Sequence, residues 1–243
     1  MVVSKPSFNL DNWKPKTDLG RKVKEGKITD LNIILDNGYT ILEPEIVDAL
    51  LPDLDTQLLE VGQSKGKFGG GKGSIWKQTQ KITSEGARIK FAAFAVVGNK
   101  NGYVGIGFGS SKETVPAREK AIRNAKLNIL KIKRGCGSWD CNCNTHHSIP
   151  FKITGKAGSV IVTFKPAPRG TGLKAERKNR TILDLAGIKD VYAKTLGKTS
   201  TKLNFFRATF EALKQLTKMK SQDDFDKQAG VVEGAVVRSK IWN

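Results

Sequence analysis

All three cysteines and both histidines of this 243-residue chain fall between Cys136 and His147, in the run CGSWDCNCNTHH. Thiolate and imidazole are the donors that zinc prefers. Cys136, Cys141 and Cys143 with one of the two histidines supply the four ligands of a tetrahedral site. The spacing lacks paired C-x-x-C knuckles, so two other readings stand beside the metal: a reduced loop without an ion, and a reactive thiol. A zinc ion here would be structural, pinning a segment between two small folded units.

A second constellation is Lys165–Arg180, where Lys165, Arg169, Lys174, Arg177, Lys178 and Arg180 face a single acidic residue, Glu176. Pro166, Pro168, Gly170 and Gly172 shape a loop whose backbone can come close to a phosphate. Contact with RNA is the expectation for such clustering, and a solubilising surface loop is the plain alternative. A third basic run, Lys112–Arg134, holds eight basic and two acidic residues. Read as a helix beginning near Glu113 or Thr114, with Pro116 in its first turn, it puts Val115, Ile122, Ala125, Ile129 and Ile132 on one apolar face. Lys120, Arg123, Lys131 and Arg134 then project from the opposite face.

The elements that hold these groups are strands and helices that alternate along the chain. Arg88–Val97 reads as a strand that turns at Asn101-Gly102 into a second strand. There Val104, Ile106 and Phe108 alternate with Gly105, Gly107 and Gly109, so one face is bare backbone. Glycine inside a strand signals close approach by something, and a sugar-phosphate backbone is the expected visitor. Ile75–Ile82 alternates like a strand. Phe151–Thr154 and Ser159–Lys165 read as strands, Ile182–Ala186 as a short helix stopped by Gly187, and Ile188–Ala193 as a further strand. The last strong helix carries Leu203, Phe206, Phe210, Leu213 and Leu216 as a core stripe. Residues 1–27 read as an extended basic arm, Glu43–Leu51 as a short helix, and 221–243 as a loosely ordered tail.

Composition narrows the function. The formal net charge is +19, with 42 basic and 23 acidic residues. A polyanionic partner is the natural compensation for such an excess, nucleic acid before an anionic membrane. Residues 28–60 run the other way, with eight acidic residues and no Lys or Arg. They read either as a solvated surface or as a face that meets a basic protein neighbour. No apolar run approaches 18 residues and the N-terminus lacks a signal-peptide core, so the expectation is an intracellular, cytoplasmic protein with reduced cysteines and no membrane partner. Gly66 and Gly71-Lys72 come near a phosphate-binding loop, but Gly73 stands where Ser or Thr should hold magnesium. Gly105, Gly107 and Gly109 lack the spacing of a dinucleotide fingerprint. Neither histidine has a Ser or Asp partner by local motif, so nothing points to an enzyme.

Several runs resemble one family. GNKNGYVGIGFGSSKETVPAREKAIRNAKLNI at Gly98–Ile129 is similar to the first domain of the universal small-ribosomal-subunit protein conventionally numbered five. HSIPFKITGKAGSVIVTFKPAPRGTGL at His147–Leu173 resembles its second domain, and AGIKDVYAKTLG and NFFRATFEAL continue the likeness. NWKPKT, EPEIVDALLP and the cysteine cluster look like the archaeal form. The resemblance implies an α+β fold: a first domain like the double-stranded-RNA-binding domain, then a ribosomal second-domain α/β fold, with N- and C-terminal extensions. The expected division is 1–74 extension, 75–135 RNA-binding domain, 136–147 Cys/His linker, 148–220 second domain and 221–243 tail. It also implies a ribosome-bound protein on small-subunit ribosomal RNA, beside neighbouring small-subunit proteins and close to messenger RNA, with an influence on decoding accuracy. Carried onto this sequence, Arg88 and Lys90 on one hairpin, and Asn99, Lys100, Asn101, Tyr103 and Lys112 on the next, should face RNA. A proline is common in the family where His146 stands, which favours His147 as the fourth ligand. The main rival is a free zinc-containing nucleic-acid-binding regulator. It would need a self-contained metal domain with a recognition helix, and the sequence shows none.

Overall fold

The computed structural model describes residues 10, 12–63, 73–220 and 222–235. The glycine-rich near-match to a phosphate loop falls mostly on 64–72, outside the described residues. Two compact units share the chain. One is the described part of 1–97 with 105–129, and the other is 98–104 with the described residues from 130 onward.

The first unit opens with α1 (Asp18–Lys24), α2 (Leu31–Asp36) and α3 (Pro44–Leu50). Thr17 caps α1, its hydroxyl accepting from the Gly20 amide at 3.1 Å. Glu43, at the N-terminus of α3, is 8% exposed. Its carboxylate accepts from the amides of Lys16 (2.8 Å) and Thr17 (2.5 Å) and from the Trp13 indole (3.2 Å). Burial pushes its acidity one way, but those hydrogen bonds outweigh it and hold the carboxyl below its ordinary value. Residues 12–27 are therefore not an extended arm: they are folded and tied to α3. The acidic segment is partly spent in the same way, since Asp48 pairs with Lys126 at 2.6 Å.

Next come β1 (Asp55–Leu59), β2 (Gly62–Gln63), β3 (Gly73–Ser74), β4 (Lys77–Thr83), β5 (Gly86–Gly98), β6 (Tyr103–Ser111), α4 (Thr114–Leu127) and β7 (Ile129–Lys131). The sheet order is β1-β5-β6-β7, with β4 paired to β5. α4 lies on the glycine face of β6. A Cβ on Gly105, Gly107 or Gly109 would stand 2.2 to 2.4 Å from the carbonyls of Ala125, Ala121 and Ala117 respectively. The close visitor foreseen for those glycines is thus the helix, not RNA. The same contact corrects the helix face: Ala117, Ala121 and Ala125 are fully buried, whereas Val115 is 52% exposed. Alanine against glycine lets the backbones approach, and the larger apolar side chains are turned aside. α4 also stops at Leu127, so Ile129 and Ile132 are buried from outside the helix, and Arg134 is 3% exposed rather than solvated.

The second unit holds β8 (Lys133–Arg134), β9 (Ile153–Ala157), β10 (Val160–Pro166), β11 (Leu173–Lys174), α5 (Arg177–Ala186), β12 (Val191–Leu196), α6 (Lys202–Lys218), α7 (Asp223–Gln228) and β13 (Val232–Glu233). Its sheet runs β11-β12-β10-β9, antiparallel except for the β11–β12 pair. Gly187 ends α5 in the left-handed region at φ +82°. α6 lies across β9 and β10 and buries Phe205, Phe206, Ala212, Leu213 and Leu216. Each large side chain there removes apolar area worth about 2 kcal/mol. Leu203 and Phe210, expected in that stripe, are only half-buried. Residues 222–235 are also more ordered than the composition of the tail suggested. β13 pairs with β8, and the Arg134 guanidinium donates to the Gly234 carbonyl at 3.1 Å.

Candidate metal centre and nucleic-acid interface

The Cys136–His147 loop is closed at its base by an antiparallel bridge between Gly135 and Ser148, with N–H to O distances of 3.0 and 3.1 Å. The closure turns four side chains inward. The Sγ atoms of Cys136, Cys141 and Cys143 and a ring nitrogen of His147 all lie within 4.8 Å of one another. His146 is not part of the group. Tetrahedral zinc bonds of about 2.3 Å to sulfur and 2.05 Å to nitrogen put neighbouring donors roughly 3.4–3.8 Å apart. The Cys141 Sγ to His147 Nε2 separation of 3.9 Å is close to that.

The imidazole shows how well the donors suit a metal. His147 Nδ1 is 2.8 Å from Asp190 Oδ2, and both residues are buried. The other carboxylate oxygen already accepts from the Gly172 amide at 2.7 Å. A carboxylate at Nδ1 favours an N–H there, which in the neutral ring leaves the lone pair on Nε2, on the side of the thiols. A carboxylate orients a metal-ligating histidine in the same way. The thiols themselves are unequal. Burial, with the neighbouring Cys143 and Cys141 thiols, pushes Cys136 up to about 11. Burial also opposes ionisation of Cys143, but the Thr145 hydroxyl, 3.1 Å from its sulfur, and the Cys141 thiol bring it down to about 6. No disulfide links the three.

In the first unit, β4 and β5 form a hairpin whose outer parts are exposed. The register sets Lys81 directly opposite Arg88, and Thr79 opposite Lys90. Alternation adds Lys77 to the same face, so four cations share it. Like charges directly opposite one another destabilise a hairpin unless an anion lies between them. Glu85 forms an ion pair with Arg88 and leaves the rest of that face basic. Lys90 also lines an open cleft with Ser110, Ser111, Lys112, Glu113, Pro116 and Lys120. Lys120 and Arg123 are exposed on α4. Lys77 and Lys81 were not singled out from the sequence. Their alternation opposite Arg88 and Lys90 was the available signal.

In the second unit the turn at 98–103 is structural. Asn99 Oδ1 accepts from the amides of Asn101 (2.8 Å) and Tyr103 (3.1 Å), and Asn101 Oδ1 accepts from Arg134 at 2.9 Å. Tyr103 is 2% exposed and stands in the core. Positive φ falls on Lys100 and Gly102 rather than on Asn101. Of these four residues only Lys100 offers an exposed side chain. Arg169, Lys174, Arg177 and Arg180 are exposed along the loop after β10 and the first turn of α5, and Lys178 is half-buried.

The N-terminal domain of ribosomal protein S5 matches residues 75–133, and its C-terminal domain matches 155–227. The chain is 51% identical over 230 residues to small ribosomal subunit protein uS5 of Methanocaldococcus jannaschii, covering 95% of this chain and 99% of that one. It is 49% identical to the Nanoarchaeum equitans protein of the same name, with 94% and 98% covered. For the Methanothermobacter thermautotrophicus protein the identity is 46%, with 93% and 97% covered. With both domain models and near full-length relatives in agreement, the chain belongs to the ribosomal protein S5 family, that of small ribosomal subunit protein uS5.

Proposed function

We propose that this chain is a structural constituent of the small ribosomal subunit, held on ribosomal RNA by basic surfaces in both of its units. Its family is one of structural ribosomal proteins, not of enzymes. The observation that carries the RNA reading is the hairpin face, where Lys81 stands opposite Arg88 with Lys77 and Lys90 beside them. A phosphate backbone against that face turns four repelling charges into contacts. Lys112, Lys120 and Arg123 extend the surface in the same unit, and Lys100, Arg169, Lys174, Arg177, Lys178 and Arg180 serve the second. Contacts of this kind fix position and register on RNA and read little sequence. Neighbouring small-subunit proteins, a location near the path by which messenger RNA enters, and support of decoding accuracy follow from the family on the same footing. No helix among the described residues is long and apolar enough to cross a membrane.

The reading includes zinc held by Cys136, Cys141, Cys143 and His147, with Asp190 orienting the imidazole. The ion would supply positive charge that keeps all three sulfurs as thiolates and cross-links a loop with little core of its own. The test of the whole reading is sedimentation of a tagged chain from lysate through sucrose at rising salt. Co-migration with small subunits that persists at high salt is the expected result. Release to the top of the gradient at moderate salt would sink it in favour of a free nucleic-acid-binding regulator. Metal content of the recovered protein, measured by atomic emission, decides the zinc.

A further inference from the structure

Asp190 touches both of the sites described above. Its Oδ2 meets His147 Nδ1 at 2.8 Å, and its Oδ1 accepts the amide of Gly172 at 2.7 Å. Gly172 belongs to the loop Pro166–Lys174, which carries the exposed Arg169 and Lys174. That loop is held in an unusual shape, with φ +89° at Gly170 and +72° at Gly172, a region that residues with a Cβ rarely adopt. Further bonds join the same two places. The amides of Lys189 and Asp190 donate to the His147 carbonyl at 2.8 and 3.1 Å. The Ser148 hydroxyl donates to the Asp190 carbonyl at 2.6 Å and accepts from the Ala167 amide at 3.2 Å. Val191 N–H closes the circuit on the Gly172 carbonyl at 3.3 Å.

Both side-chain partners of Asp190 are donors, an amide and an imidazole N–H, so two acceptor oxygens are needed. Only a carboxylate provides them. An ion on His147 Nε2 leaves Nδ1 no option but to carry the proton, and so locks the imidazole onto Asp190. Without the ion nothing holds Nε2, and the ring is free to turn about its side-chain bonds away from Asp190. Asp190 then loses one of the two bonds that fix it, and Gly172 loses a fixed acceptor.

We propose that Asp190 is a positioning residue that couples the metal centre to the basic loop Pro166–Lys174, so that a bound ion holds this loop in its RNA-ready shape. A loop ordered in advance has less freedom to lose when phosphate binds. The proposal rests on the metal reading above, and its test separates the two. The full chain is measured for zinc, and then its hydrogen exchange is followed by mass spectrometry before and after the ion is stripped with pyridine-2,6-dicarboxylate. Stripping is expected to speed exchange in peptides covering 168–175 by about tenfold and to leave those of α6 unchanged. Asp190→Asn, which keeps one acceptor and gains a donor, is expected to retain zinc yet exchange in the loop like the stripped protein. Zinc present, with loop exchange identical in both states, overturns the coupling and leaves the metal reading intact. Acceleration everywhere, α6 included, means that the ion merely stabilises the unit and also overturns it. No zinc in the purified chain and none taken up from solution overturns both. Should Asp190→Asn fail to fold, stripping the wild-type chain decides alone.

Discussion

Gly107→Ala is the sharpest test of what the glycine stripe of β6 is for. An added Cβ at Gly107 would lie 2.2 Å from both the Ala121 carbonyl oxygen and the Ala125 amide nitrogen, where ordinary contact begins near 3.4 Å. Those atoms are helix backbone and cannot rotate aside, so α4 would have to retreat by about 1.2 Å at that point. The retreat loosens Ala117, Ala121 and Ala125, all fully buried. Overpacking typically costs about 1–3 kcal/mol, and rigid neighbours push this case to the upper end. The stiffer unfolded chain of the alanine variant offsets about 0.5–1 kcal/mol. We therefore expect a net loss of about 2 kcal/mol, or roughly 5–15 °C in Tm, by urea and thermal unfolding followed by circular dichroism. RNA affinity measured well below the transition should change little. Unchanged stability together with weakened RNA binding would refute this account and return the stripe to nucleic acid.

Neutralising Lys120 and Arg123 together should do the reverse: stability stays within about 0.5 kcal/mol, and the salt dependence of RNA binding becomes shallower by about 1–2 units of slope. A slope that does not move would shift the contact surface elsewhere. Replacing Cys141 and Cys143 by Ser should abolish zinc uptake and lower the unfolding temperature of the metal-loaded protein, and equal melting with and without zinc would argue against the site. Glu43→Ala leaves the donors of Lys16, Thr17 and Trp13 without their acceptor and should cost about 3 kcal/mol. Because the folded Glu43 carboxyl lies below its ordinary value of 4.5, its contribution is complete above that pH and is lost as pH falls through the lower folded value. The gap between wild type and Glu43→Gln should therefore narrow below pH 4.5 and persist at neutrality; a gap independent of pH would mean the charge is not what matters.

Features set within a few residues were legible in the sequence; those set by distant partners were not. Gly187 ends α5 through bonds to Leu183 and Asp184, so a local pattern sufficed. The thiols and His147 lie within one short run, and a single bridge at its base gathers them. The Asp190 carboxylate, 43 residues from His147, left no local trace. Nor did the ordering of residues 222–235, because β13 is two residues long and is held by Arg134, 100 residues before the Gly234 carbonyl it bonds. The end of α4 was missed for a local reason. No glycine or proline stands between Leu127 and Gly135, so the apolar spacing of Ile129 and Ile132 reads as a continuation of the helix.

The glycine stripe is the more instructive case, because its pattern was read correctly and its partner wrongly. Alternating glycine states only that something comes within backbone distance. A helix backbone and a sugar-phosphate backbone meet that condition equally. What separates them is the other side of the contact: Ala117, Ala121 and Ala125 recur every four residues and match three glycines spaced by two. Four residues of helix rise about 6 Å, and two residues of strand about 6.6 Å, so the two series keep step. Weighting by hydrophobicity hides this match, since Val115 and Ile122 outscore the alanines that make the contact. The second unit repeats the device, with a Cβ on Gly155 of β9 falling 2.1 Å from the Ala208 carbonyl and 2.3 Å from the Ala212 amide of α6. In both units the helix nearest the sheet is seated by small residues, and that frees the basic side chains on its outer face for a partner.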